Sequence, residues 1–83
     1  MNKVWADRAW ADYLYWQSID KKMIKKINEL VKDIERNGLS EGHPEPLRHR
    51  KAWSRRIDHG NRLVYDIVDG SLWIIACKGH YEE

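Results

Sequence analysis

The dipeptide Asp69-Gly70 places the strongest constraint on how this chain can fold, because it separates two runs of β-branched and aromatic residues. Asp-Gly is a preferred two-residue turn of β-hairpins, since both of its positions tolerate the backbone conformation that such a turn requires. The runs Arg62 to Val68 and Ser71 to Cys77 are therefore predicted to pair as antiparallel strands. Counting outward from the turn puts Arg62 opposite Cys77, with His80 just beyond at the same end of the sheet.

A third predicted strand, Trp53 to Ile57, precedes the hairpin and is joined to it by His59-Gly60-Asn61. A three-residue loop there pairs Asp58 with Arg62 and creates an apolar face of Trp53, Ile57, Leu63, Tyr65, Ile67, Leu72, Ile74 and Ala76. The opposite face then carries Ser54, Arg56, Arg62 and Asp66. A two-residue loop would place Arg56 in the core, at a cost that no buried partner obviously offsets. We therefore predict the three-residue loop.

The N-terminal half has the periodicity of two helices. Lys3 to Trp5 can form a short strand, after which Ala6 or Asp7 begins the first helix. Asp20 is a good N-cap for a second helix, which ends at Asn37-Gly38. The order β-α-α-β-β-β predicts one α+β domain over residues 1–83, with the two helices packed on one face of an antiparallel sheet.

The composition narrows the cellular setting. Cys77 is the only cysteine, so the chain cannot form an internal disulfide, which suits a reducing compartment. No segment approaches the roughly 20 apolar residues of a membrane span, and the N-terminus lacks the apolar run of a signal peptide. The histidines have no regular metal-ligand spacing. We therefore expect a cytoplasmic protein that has no membrane association, no metal and no cofactor.

Positive charge is concentrated in one segment, although the net charge is only +2. Between Pro46 and Arg62 the only acidic residue is Asp58, whereas the basic residues are Arg48, Arg50, Lys51, Arg55, Arg56 and Arg62. Such a segment is typical of a surface that binds a polyanion. A solvated basic surface with no ligand has the same composition, so charge alone leaves both interpretations open.

One group of residues offers the parts that RNA cleavage requires. When the 2′-hydroxyl of RNA attacks the adjacent phosphate, the reaction needs a base, an acid for the leaving 5′-oxygen and positive charge on the transition state. These parts are available in Glu45, which is held between two prolines, in His80, and in the pair Arg56 and Arg62. Alternatives for the acid are His43, His49 and His59.

Several segments of the chain carry a family resemblance. They are Trp10 to Gln17, Lys25 to Leu30, Pro44 to Leu47, Trp53 to Ile57, Arg62 to Tyr65, and His80-Tyr81. In order and spacing these segments closely resemble the YoeB toxins, also called Txe, which belong to the RelE superfamily of bacterial toxin–antitoxin systems. The likeness covers nearly the whole chain.

This resemblance implies a microbial RNase fold and ribosome-dependent cleavage of messenger RNA in the A site, which inhibits translation. It also implies inhibition by a YefM-type antitoxin protein, and it leaves a homodimer open. Two rival functions are a ParE-like relative that acts on DNA gyrase and an RNA- or ribosome-binding module that does not cleave. The joint presence of Glu45, Arg62 and His80-Tyr81 argues against the ParE-like function.

The resemblance also assigns roles to individual residues. The family's Pro-Glu-Pro glutamate, a general base, falls on Glu45, and its phosphate-stabilising strand arginine falls on Arg62. The near-terminal His-Tyr pair makes His80 the general acid and Tyr81 a substrate-orienting group. Further substrate-binding residues are expected to be Arg48, Arg50, Lys51, Arg55 and Arg56.

Two features depart from the family pattern. The loop between His49 and Trp53 is shorter, and Glu82 and Glu83 follow the His-Tyr pair at which the family commonly ends. We expect two carboxylates beside the site to compete with phosphate for the basic residues.

Overall fold

A single aspartate separates the two helices of the fold. The structure, a computed structural model, describes residues 1–81. Helix α1 spans Asp7–Ile19 and helix α2 spans Lys21–Asn37. Between them the Asp20 carboxylate accepts hydrogen bonds from the Lys22 and Met23 N–H groups, at 3.1 and 3.4 Å. Gly38 then ends α2 with a φ of 59°. The predicted helix boundaries are confirmed.

The two helices pack on one face of a five-stranded sheet. Its strands are β1 Lys3–Trp5, β2 Glu45–Pro46, β3 Trp53–Asp58, β4 Asn61–Val68 and β5 Ser71–Ala76. Their order across the sheet is β1-β5-β4-β3-β2. The predicted α+β architecture is confirmed.

Two details of the predicted sheet are wrong. First, β1 runs parallel to β5, so the sheet is mixed and not antiparallel. This pairing satisfies the outer edge of β5, since the Leu72 N–H donates to the Asn2 carbonyl at 2.8 Å and the Ala6 N–H donates to the Ile74 carbonyl at 2.9 Å. Second, Glu45–Pro46 forms an additional short strand at the opposite edge, against β3.

The predicted loop between β3 and β4 is also wrong. Asp58 pairs with Asn61 and not with Arg62, so the turn has two residues. The Asp58 carboxylate closes it by accepting bonds from the Gly60 N–H and the Asn61 side-chain amide, both at 3.0 Å. A bulge at Ile57 then adds one residue, so the predicted faces of Ser54 and Arg62 are unchanged.

A second bulge corrects the register of the last hairpin. Val68 pairs with Ser71 as predicted, but the register shifts after Tyr65 and Val64 pairs with Ala76. The prediction that Arg62 lies opposite Cys77 is therefore wrong. Ala76, predicted on the helix face, packs on the other face, and Cys77 turns into the main core instead.

The sheet separates two apolar clusters of different size. The larger cluster lies under the helices and contains Ala9, Met23, Ile27, Val31, Ile34, Ile57, Leu63, Tyr65, Leu72, Ile74 and Cys77. The smaller cluster on the open face contains Ala52, Val64, Ile75 and Ala76. Burial raises the pKa of the Cys77 thiol to about 12.

Within residues 1–81, no helix is long and apolar enough to cross a membrane.

An arginine is buried on the helix face of the sheet. Arg55 is 8% exposed, and its Nη1 donates to the Asp33 Oδ2 of α2 at 2.6 Å. This bond to Arg55 is the main cause that holds the pKa of the Asp33 carboxyl below its ordinary value. Gly42 lies directly against the guanidinium, where an added Cβ would clash with the Arg55 side chain. The pair therefore joins α2, β3 and the loop that leads to β2.

This pair predicts a pH-dependent loss of stability in Asp33→Asn. At pH 7 the substitution should lower the free energy of unfolding by about 2 kcal/mol, because a buried guanidinium loses its charged partner. Folding lowers the pKa of Asp33 from 3.8, so the stabilisation is present above about pH 4 and is lost as the pH falls further. Urea denaturation of both proteins at pH 7 and pH 3 measures the difference.

The matched control for this measurement is Glu41→Gln, which removes an exposed carboxylate from the neighbouring loop. It should change the stability little at either pH. A difference between wild type and Asp33→Asn that stays constant from pH 7 to pH 3 would contradict the role given to the ion pair.

Candidate active site

The edge strand β2 places Glu45 next to β3, one strand away from β4. Proline follows Glu45, and a residue before proline favours an extended backbone. In the structure Glu45 pairs with Ser54 of β3, while Pro46, which has no N–H to donate, is tolerated because β2 is an edge strand. The Glu45 side chain is 68% exposed and directed toward β4.

Arg62 is held at two points by the strands next to it. Its Nε donates to the Ser54 hydroxyl at 3.0 Å, and its Nη2 lies 3.3 Å from the Glu45 Oε2. Ser54 is 5% exposed, so the hydroxyl that fixes Arg62 is itself fixed in the sheet. Arg62 also lines the groove described below.

A groove of about 390 Å³ crosses the open face of the sheet at this point. Its lining residues are Glu45, Pro46, Leu47, Arg48, His49, Ser54, Arg62, Val64, His80 and Tyr81. The groove therefore combines a carboxylate, guanidinium groups, imidazoles and a phenol within one concave surface.

The C-terminal segment reaches the groove through bonds to the start of β4. The Arg62 N–H donates to the Gly79 carbonyl at 3.1 Å, and the Gly79 N–H donates to the Asn61 Oδ1 at 2.8 Å. Gly79 has a φ of 73°, which turns the chain after β5. These bonds bring His80 beside Arg62, so the predicted proximity of the two residues is confirmed by a route other than strand pairing.

The basic residues divide between the groove and its surroundings. Arg48 lines the groove, and Arg50 reaches its rim by donating to the Tyr81 hydroxyl at 3.1 Å. Lys51 is exposed in the same loop, which the bond from the Leu47 N–H to the Ala52 carbonyl closes at 3.0 Å. This loop presents positive charge next to the groove.

Two other predicted residues are not brought into the groove. Arg55 lies on the helix face with Asp33, on the far side of the sheet. Arg56 is exposed and pairs directly opposite Arg62, but it borders a shallow depression beside α2. Of the three alternative histidines, only His49 lines the groove in the described part of the chain.

Ser54 is a site residue that the sequence reasoning placed on the correct face without giving it a role. The signal that would have found it is the pairing of the Pro-Glu-Pro segment with β3, which sets Ser54 between Glu45 and Arg62. Within residues 1–81, no group of three or more His, Cys, Asp or Glu side chains is arranged to hold a metal ion. The prediction about Glu82 and Glu83 lies outside the described residues.

Comparison with known proteins decides the family. A sequence model of YoeB-like toxins of bacterial type II toxin–antitoxin systems matches residues 5–81. The chain belongs to this family. Toxin YoeB of Escherichia coli K12 is 51% identical over 98% of this chain and 100% of its own length. Toxin YoeB of Synechocystis is 45% identical over 99% of both chains.

Several solved structures superpose on this chain over nearly its whole length. A YoeB/ParE toxin from Agrobacterium tumefaciens superposes with a TM-score of 0.91 at 38% identity, covering 98% of this chain and 100% of that one. A YoeB–YefM complex from Staphylococcus aureus gives a TM-score of 0.87 at 47% identity, covering 98% of each chain. YafQ from E. coli, at 16% identity and a TM-score of 0.78, shares the fold over 96% of this chain and 93% of its own.

Proposed function

We propose that this toxin is an endoribonuclease that cleaves messenger RNA in the ribosomal A site and thereby inhibits translation. The observation that carries the proposal is the contact of Arg62 with both Glu45 and Ser54 in a groove that His80 also lines. A carboxylate, a fixed guanidinium and an imidazole are the groups that 2′-hydroxyl attack on a phosphate requires. Such a reaction on ribosomes takes place in the cytoplasm.

Glu45 acts as the general base in this mechanism. Its carboxylate accepts the proton of the 2′-hydroxyl, and the oxygen attacks the adjacent phosphorus. The rigid Pro44-Glu45-Pro46 backbone fixes the Cα of Glu45. The exposed carboxylate is still free to move toward the 2′-hydroxyl of the RNA. A positioned base of this kind contributes roughly 10²–10⁴-fold to a rate.

Arg62 stabilises the charge that develops on the phosphorane. In the absence of RNA its Nη2 is occupied by Glu45, so the scissile phosphate takes the place of that carboxylate when RNA binds. The Nε remains on Ser54, which keeps the guanidinium oriented during the exchange. The exchange releases the Glu45 carboxylate at the moment when it is needed as a base, and it couples substrate binding to activation of the site.

His80 donates the proton to the leaving 5′-oxygen. The products are then a 2′,3′-cyclic phosphate and a free 5′-hydroxyl, and the proton lost by the 2′-hydroxyl is balanced by the proton given to the leaving group. Tyr81 forms part of the groove wall and orients the substrate, and Arg48 contacts a phosphate nearby. Arg50 and Lys51 attract the RNA backbone without taking part in the chemistry.

The 2′-hydroxyl is the nucleophile in this proposal, which gives a direct test. Messenger RNA with a 2′-deoxy or 2′-O-methyl group at the scissile nucleotide should resist cleavage by the purified toxin on translating ribosomes. Unmodified RNA should be cut to a 2′,3′-cyclic or 3′-phosphate end, and cleavage should persist in a chelator under conditions that preserve the ribosome. Primer extension and end-group analysis measure both results.

Arg62→Ala serves as the inactive control, and Lys22→Ala, on the exposed surface of α2, serves as the active one. Cleavage of the 2′-deoxy RNA at an undiminished rate would show that a water molecule or another group is the nucleophile. No cleavage of unmodified RNA by the wild-type toxin would contradict the proposed activity as a whole.

We further propose that a YefM-type antitoxin binds this toxin and covers the groove. The S. aureus relative was solved with YefM, and a YoeB dimer from the same organism supports a homodimer as a second assembly. The basic loop from Arg48 to Lys51 suits an acidic segment that is disordered when free and folds on binding.

Binding of the antitoxin encoded beside the toxin gene should therefore weaken as salt increases. Titration calorimetry at low and high ionic strength measures this dependence. Replacing Arg48, Arg50 and Lys51 with alanine together should weaken binding and flatten the dependence on salt. An affinity that is insensitive to salt, or the absence of any small partner gene beside the toxin gene, would count against the proposal.

A further inference from the structure

Tyr81 lies in the groove although it follows the last strand of the sheet. Three contacts hold its side chain in place. One part of the ring packs on the open-face cluster of Ala52, Val64, Ile75 and Ala76. The hydroxyl accepts the hydrogen bond from Arg50, and the Arg8 guanidinium lies 5.1 Å from the ring centroid. This cation–π contact comes from α1, none of whose residues is among those that line the groove.

The helix that carries Arg8 also anchors the point where the C-terminal segment leaves β5. The Cys77 N–H donates to the Asp12 Oδ2 at 3.0 Å, and the Trp16 Nε1 donates to the Cys77 carbonyl at 2.8 Å. The backbone N–H and the backbone carbonyl of Cys77 are thus both hydrogen-bonded to side chains of α1. The C-terminal segment therefore contacts α1 at two points, at Cys77 where it begins and at the ring of Tyr81.

The surroundings of Arg8 on its own helix do not explain where its side chain lies. Arg8 is in the first turn of α1, where the helix dipole disfavours a cation. Its contact with Asp12 is long, 3.8 Å, and has the basic residue before the acidic one, which is the weaker arrangement for an i,i+4 pair. The contact with the Tyr81 ring explains the position of the Arg8 guanidinium.

We propose that Arg8 is a positioning residue for Tyr81, and that Arg8 and Arg50 together form a clamp on this side chain. Arg8 restrains the ring face, and Arg50 restrains the hydroxyl at the far end of the ring. The clamp fixes the wall against which the substrate is oriented. Its effect on cleavage rests on the proposed function, whereas its effect on the ring does not.

The first experiment observes the ring directly. In protein labelled with ¹³C in tyrosine rings, Arg8→Ala should shift and narrow the Tyr81 signals, because the ring gains freedom to reorient. Arg8→Lys should retain most of the wild-type signal, because an ammonium group also binds a ring face. Lys22→Ala, which removes a cation from α2, should leave the signals unchanged. Tyr81 signals that are identical in wild type and Arg8→Ala would overturn the proposal, whatever the toxin cleaves.

The second experiment separates the two arms of the clamp by double-mutant cycles on kcat/KM. Arg8→Ala should lower kcat/KM about two- to fivefold, the size expected of an exposed cation–π contact. It should do the same in Tyr81→Phe, which keeps the ring, and have no effect in Tyr81→Leu. Arg50→Ala should have a smaller effect in Tyr81→Phe, which lacks the hydroxyl, because only the attraction of Arg50 for the RNA backbone is then lost.

These cycles distinguish positioning from a general loss of charge or stability. An equal effect of Arg8→Ala in wild type and in Tyr81→Leu would show that Arg8 acts independently of the ring, and it would contradict the proposal. If the wild-type toxin does not cleave RNA at all, the proposed function fails, while the spectra of the first experiment still decide whether the clamp exists.

Discussion

The site depends on one guanidinium, because Arg62 is the residue at which all its elements meet. Its Nε is fixed by Ser54 of β3, its Nη2 contacts Glu45 of β2, and its own N–H holds the C-terminal segment at Gly79. The three elements are different parts of the chain, and each contacts Arg62. The strands β3 and β2 are placed by strand pairing, and the C-terminal segment by hydrogen bonds to Arg62 and its neighbour Asn61. A shift of β4 by one residue would separate Glu45, Arg62 and His80 at the same time.

The sequence predicts which face Arg62 occupies, although it does not predict the register that places it there. A two-residue turn and a bulge at Ile57 have the same parity as the three-residue loop that was predicted, so Ser54 and Arg62 stay on the open face. Alternation of apolar and polar residues constrains parity strongly, because an error would bury the wrong side chains. It constrains the absolute register weakly. For this reason the bulge after Tyr65, which moves Ala76 to the other face, has no signal in the pattern.

Contacts between distant segments account for the rest of what the sequence does not predict. Arg55 has a place in the core because Asp33, on another element, neutralises it, and no local pattern links the two residues. No local sequence pattern links Glu45 to Ser54 or Arg8 to Tyr81 either, although each pair is in contact in the structure. The resemblance to the YoeB family supplies the identity of Glu45, which residue type alone does not distinguish from a solvated loop carboxylate. The structure adds the neighbours that orient it.

The division of labour between Glu45 and His80 is the central claim, and a substrate with sulfur in place of the leaving 5′-oxygen tests it most directly. A thiolate leaves without being protonated, so a substrate of this kind does not need a general acid. Single-turnover cleavage at saturating toxin should show that His80→Ala is slower than wild type by roughly 10²–10⁴-fold on the oxygen substrate and recovers to near the wild-type rate on the sulfur substrate. Glu45→Gln should be slow on both. An equal deficit of His80→Ala on the two substrates would contradict the account.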